Sequence, residues 1–364
     1  MALLLPTMAS NAGELPPDYG KHLATAYITP AIQHFHQSAQ QLHAALQAWC
    51  PAADKAGAKN IKDNFAQLVA AWSGIEFLRF GPLITANRYE KISFWPDPRG
   101  ITVRQVQGLL AKPDAVPDAD ALATHSVAVQ GLPALEYVLY REGGLLAEGD
   151  IADRDGDSRA RMPGCAYAVS IAGNLTHLGH SLAQEWGPAG EYTQKFTQPS
   201  SSNPLYRNQQ EVAGEAIKAL STGLQFARDV KLLPVLGRDA KTARFKRAPF
   251  WRSGLALHAM NASAEGMLRF YQAGNYRYGN EEEWIDGSVR AELRRIVGNF
   301  AAMIEATTPT ADHPGGFTQF VETEAGYRQL TLATLLIKNA KSLIDEDMAP
   351  AFGVRIGFNA LDGD

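Results

Sequence analysis

The run Thr124-His-Ser-Val-Ala-Val-Gln-Gly-Leu-Pro-Ala-Leu-Glu-Tyr-Val-Leu-Tyr140 is apolar over most of its length, yet it carries one carboxylate. On a helix turning about 100° per residue, Glu136 shares a face with Leu132, Pro133, Leu139 and Tyr140, with Val129 one turn further back. The helix cannot be continuous. Pro133 removes a backbone donor and clashes one turn back, and Gly131 is a poor helix former. The pattern predicts a buried helix broken at Gly131-Leu132, with Pro133 at the first position of the new segment. Such an apolar face must be covered by other elements. A carboxylate inside it needs an arginine, a metal, a hydrogen-bond cluster or a raised pKa, because an unpaired buried charge is too costly.

The rest of the chain supplies helices to cover that face. Residues 22–49 carry the stripe Ile28, Ile32, Phe35, Leu42 and Leu46. Residues 59–80 carry Phe65, Val69, Trp72 and Phe80, with Glu76 inside the stripe and Arg79 three residues on. Residues 166–186 form a long helix with His177 and His180 at i, i+3, a spacing that can hold a metal. Further helical patterns occupy 205–233, 251–273, 281–305 and 320–344. The last 13 residues, from Phe352, are Gly-rich and read as a non-helical tail docked through its Phe and Leu side chains. No β alternation stands out.

The expected fold is all-α, with two helical-bundle halves. Glu76-Phe-Leu-Arg79-Phe80 is echoed faintly by Glu265-Gly-Met-Leu-Arg269-Phe270, which suggests a duplicated up-down bundle. The expected boundaries are a signal remnant or disordered N-terminus over 1–20, an N-terminal bundle over 21–190, a Pro/Gly/Ser-rich linker over 191–204, and a C-terminal bundle with its docked tail over 205–364.

Composition excludes several functions. Hydrophobic residues make up 46% and charged residues 20%, the balance of a globular protein. The net charge of -4 and the single short basic cluster at 241–247 argue against nucleic-acid binding. No apolar run reaches the ~20 residues of a membrane span. The two cysteines, Cys50 and Cys165, cannot make a metal site alone; they pair in an oxidising compartment or stay as separate buried thiols. No dinucleotide fingerprint, Walker loop, His-Glu-x-x-His zinc motif or Gly-x-Ser-x-Gly elbow is present.

Four stretches together resemble the imelysin-like family of peptidases and iron-regulated periplasmic proteins. They are Trp72-Ser-Gly-Ile-Glu-Phe-Leu-Arg-Phe-Gly-Pro82, Phe94-Trp-Pro-Asp97, Gly131-Leu-Pro-Ala-Leu-Glu136-Tyr, and the tail Gly357-Phe-Asn-Ala-Leu-Asp-Gly-Asp364. The resemblance implies an exported periplasmic or envelope protein linked to iron uptake, with iron or an iron chelate as ligand and an envelope protein as partner. It also implies a Gly-x-His-x-x-Glu motif, which maps onto Gly131, Pro133 and Glu136. Here proline stands where the family has histidine, which argues against catalysis and for binding. The expected ligand-binding residues are Glu76, Arg79, Arg88, Trp95, His125, Glu136 and Asp362. Glu76 and Glu136 are the expected carboxylates for a metal such as iron, and His177 with His180 a second metal pair. Arg79 and Arg88 are the expected counter-charges. The alternatives are a hydrolase using Glu136 as general base, and a non-catalytic interaction protein whose inward carboxylates only fix helix register.

Overall fold

The computed structural model describes residues 13–51, 54–112, 116–147, 163–308 and 316–357. The described chain is helical almost throughout. The helices used below are α1 (Thr29–Trp49), α2 (Lys55–Ile75), α3 (Ile101–Leu110), α4 (Leu132–Tyr140), α5 (Pro163–Glu185), α6 (Glu191–Thr197), α7 (Gln209–Gln225), α8 (Ala256–Ala273), α9 (Glu283–Thr307) and α10 (Glu324–Ser342). Each of the long ones buries an apolar stripe at helical spacing. In α1 the residues Ile32, Phe35, Leu42 and Leu46 are buried, with Ile28 in the π turn just before it.

Packing links these helices in a row. Helix α1 lies against α5 and α2, α2 against α8, α8 against α9, and α9 against α10. The α2–α8 contact joins the two halves of the chain, and buried residues of both halves form one hydrophobic cluster. That contact depends on small residues. A Cβ on Gly266 would lie 2.5 Å from the Gly74 carbonyl oxygen and 2.6 Å from the Tyr27 hydroxyl, so only glycine lets α8 approach α2 this closely.

Several expectations from the sequence are met. The break before α4 falls at Gly131, although Pro133 takes the second helical position, after Leu132, and not the first. The described part of the tail is non-helical beyond Ala351 and docked. Phe352 and Val354 are buried, and the Phe352 ring lies 5.2 Å from Tyr276 and 4.9 Å from Tyr278. Of the two alternatives open for the cysteines, the structure has the pair: Cys50 and Cys165 are bonded, with Cα atoms 5.8 Å apart, which ties the end of α1 to the start of α5. Among the described residues, no helix is long and apolar enough to cross a membrane.

Other expectations need correction. The segment before Gly131 is not an α-helix; it holds a single 3-10 turn, Val127–Val129. Helix α2 stops at Ile75, which leaves Glu76 as its C-cap and Arg79 outside any helix. The span 191–204 contains α6, whose Phe196 and Tyr192 join an aromatic cluster with Phe80, Trp186 and Tyr206. A two-residue ladder, Gly13–Glu14 against Arg277–Tyr278, is too short for any alternation to announce it. Residues 1–12, and Asp362 in the tail, lie outside the described residues.

Candidate functional site

The site is built around Glu136, and local chain geometry puts it there. Gly131 caps α4 in an extended conformation (φ -119°), and a Cβ at that position would lie 2.2 Å from the Ile92 carbonyl oxygen. Glycine is therefore required for α4 to start flush against the backbone of Lys91 and Ile92. One turn on, Glu136 is 4% exposed. Its partner comes from the other half of the chain. Phe250 adopts a left-handed φ of 53°, uncommon for a bulky residue, and the turn it begins carries Ser253 to the carboxylate. The Ser253 amide and hydroxyl donate to Glu136 Oε1 at 2.9 and 2.8 Å. Burial pushes the Glu136 pKa up; the Ser253 hydrogen bonds and the Arg252 charge pull the other way without cancelling it.

Glu136 lines a cavity of about 160 Å³. One wall is the segment containing Trp95, Asp97 and Thr102, a second is Pro133 and Tyr137, and the third contains Lys246, Trp251 and Arg252. The Asp97 carboxylate is already engaged. It accepts the Ile101 and Thr102 amides at 2.9 and 2.7 Å and so caps α3. The cations are held by rings. The Arg252 guanidinium lies 4.4 Å from the Trp251 ring and 5.3 Å from the Tyr137 ring, and the Lys246 ammonium 5.6 Å from Trp251. Among the described residues, neither cation has a carboxylate at ion-pair distance. The cavity thus combines two cations without ion-pair partners, aromatic walls and a carboxylate held by a turn.

The residues expected from sequence are distributed as follows. Glu136 and Trp95 line the cavity; the Trp95 ring also meets Phe226 edge-on at 6.1 Å. Glu76 does not line it. It is 6% exposed and forms a buried ion pair with Lys231, which the π turn Phe226–Leu232 delivers from the second half of the chain. Lys231, not Arg79 or Arg88, is its counter-charge, because Arg79 lies beyond the end of α2 and points elsewhere. The Arg79 guanidinium is sandwiched 4.1 Å from both the Tyr89 and Phe226 rings and donates to the Tyr89 hydroxyl. Arg88 pairs with Glu185 at 2.6 Å and donates to the Pro82 carbonyl at 2.8 Å.

The histidines stand apart from the cavity. His125 is exposed and hydrogen-bonded to the Ala121 carbonyl at 2.9 Å. His177 lies 3.4 Å from the Asp120 carboxylate, and the His180 ring 5.4 Å from that of His36. Among the described residues, no group of three or more His, Cys, Asp or Glu side chains is arranged to hold a metal ion. Glu76 and Glu136 are held by different partners, Lys231 and Ser253, and His177 and His180 lie beside Asp120 and His36. The sequence reading missed Thr102, Lys246, Trp251, Arg252 and Ser253. For all but Thr102 the signal was a basic cluster at 241–247 followed at once by Phe250-Trp-Arg-Ser253, which puts cations and aromatic rings in one short loop.

Comparison with known proteins bears on the family and the fold. The peptidase-family model described as Imelysin matches residues 28–340. The fold resembles the crystal structure of an imelysin-like protein from Psychrobacter arcticum 273-4, with a TM-score of 0.72 and 19% identity over 95% of this chain and 99% of that one. It also resembles that of a candidate iron-regulated protein A precursor from Parabacteroides distasonis ATCC 8503, with a TM-score of 0.69 and 13% identity over 94% and 97% of the two chains. At these identities the likeness is one of fold. No curated protein matches the chain. The match to the family model spans most of the sequence, and the chain belongs to the imelysin family.

Proposed function

We propose that this protein is an exported, envelope-located binding protein that takes an iron-containing ligand into the cavity lined by Glu136, Lys246 and Arg252. The observation that carries the reading is the pair of cations, set on aromatic rings beside a buried carboxylate, with no ion-pair partner among the described residues. The donor set does not suit a bare cation. Both Asp97 oxygens and Glu136 Oε1 already accept hydrogen bonds, and Lys246 and Arg252 would repel a ferric ion. It suits an iron chelate of net negative charge, for which a guanidinium fork is a strong partner. Export is supported by the Cys50–Cys165 disulfide, since such bonds persist in oxidising compartments. A link to iron is supported by the name of the Parabacteroides relative in fold. Binding is favoured over hydrolysis because Pro133, in the first turn of α4, can neither ligate a metal nor carry a proton.

Calorimetric titration of the protein with ferric citrate tests the reading. Wild type binds, and Arg252→Ala weakens binding about tenfold or more, the size of a lost charge-assisted hydrogen bond at ~1.5–3 kcal/mol. Equal affinity in the two proteins would contradict it.

A further inference from the structure

We propose that the part of the ligand recognised in this cavity is a small polycarboxylate, gripped by Arg252 and Lys246 with Thr102 as an additional donor, so that the metal-free acid binds as well. The inference rests on the reading of the cavity as the ligand site and goes on to name what the site reads.

Three observations support it. The first is the pair of cations. The Arg252 guanidinium lies 4.4 Å from the Trp251 ring and has no carboxylate at ion-pair distance among the described residues, and a guanidinium suits a planar two-oxygen acceptor, while Lys246 adds a point charge on the same wall. The second is Thr102. It is 5% exposed, lines the cavity, and its hydroxyl oxygen is buried without a hydrogen-bond partner. Buried polar groups are nearly always paired, and a threonine in a helix has two accessible χ1 rotamers, so a turn about χ1 can bring this hydroxyl to a ligand in the cavity. The start of α3 offers no comparable anion site, because Asp97 already occupies it. The third is size. A volume of about 160 Å³ has room for about five waters at the ~30 Å³ each takes up in the liquid. That admits the carboxylate groups of a compact organic acid and is too little to enclose a large chelator.

The test is calorimetric titration of the full chain with metal-free citrate, ferric citrate and inorganic phosphate, on wild type, Thr102→Val and Lys246→Ala. Metal-free citrate should bind within about tenfold of ferric citrate, and more tightly than phosphate. Thr102→Val should weaken both citrate forms by the same factor, about tenfold or more, the worth of one hydrogen bond to a charged group at ~1.5–3 kcal/mol. Its melting temperature should not fall, since the hydroxyl makes no bond in the free protein. Lys246→Ala, at an exposed position, should fold normally and lose affinity for both. If ferric citrate binds and metal-free citrate does not, the metal is what is read, and the proposal falls while the binding function stands. Equal binding of phosphate overturns the carboxylate class. If neither citrate form binds, the proposal and the functional reading fall together.

Discussion

Glu136 is compensated by Ser253 and the neighbouring Arg252, and burial still raises its pKa above the ordinary value of 4.5. The folded protein therefore holds a proton that the unfolded chain has released once the pH passes 4.5. Unfolded chains then bind fewer protons than folded ones, so this residue's contribution to stability falls as pH rises from there toward the raised value. Glu136→Gln removes that dependence. Melting curves taken across the acidic to neutral range should show the variant gaining on wild type as pH increases; a constant difference would rule the account out. Helical arithmetic was enough to place Glu136 on a buried face. Its partner was not legible, because Ser253 is 117 positions away and arrives through a turn with Phe250 at positive φ. The same arithmetic misled at Glu76. Arg79 looks like its neighbour only if α2 continues, and α2 ends at Ile75.

At the level of elements, the halves meet where α8 lies on α2, and Gly266 against Gly74 sets the spacing. Gly266→Ala should cost about 1–3 kcal/mol, the usual penalty for overpacking a well-filled contact. Denaturant unfolding measures it, and a loss below about 0.5 kcal/mol would mean the helices can move apart freely. The long helices were legible because their apolar residues recur every three to four positions, and those stripes are buried. Register failed where the backbone changes period. After α7 the chain enters the π turn Phe226–Leu232, which shifts all later side chains around the axis. Extending the stripe Ile217, Leu220 and Leu224 by α-helical steps points to Ala227, yet Phe226 is the buried residue there and Ala227 is only half-buried. Lys231, seven residues beyond Leu224, falls on the buried face of an α-helical wheel, and there it meets Glu76.

Across the whole molecule, the Glu76–Lys231 ion pair fastens the first half of the chain to the second, with both residues almost fully buried. Removing one partner strands the other charge. Lys231→Met should cost ~3–5 kcal/mol, while the double change Glu76→Gln with Lys231→Met should recover much of it. A thermodynamic cycle built from urea unfolding checks this, and simple additivity of the two single changes would show that the pair does not couple the halves. The all-α class and the family were readable from sequence, because helical stripes and motifs such as Gly131-x-x-x-x-Glu136 are local. The site was readable only on its first-half walls, Trp95, Pro133 and Glu136. Its cations sit in a loop more than 100 positions downstream, and only the folded chain brings them to the same cavity. The most direct test of that cavity as the ligand site is anomalous diffraction at the iron edge from crystals of the protein grown with ferric citrate. The account predicts one iron peak inside the cavity between Arg252, Lys246 and Glu136. An iron peak beside His177 and His180, or anywhere else outside the cavity, would contradict it.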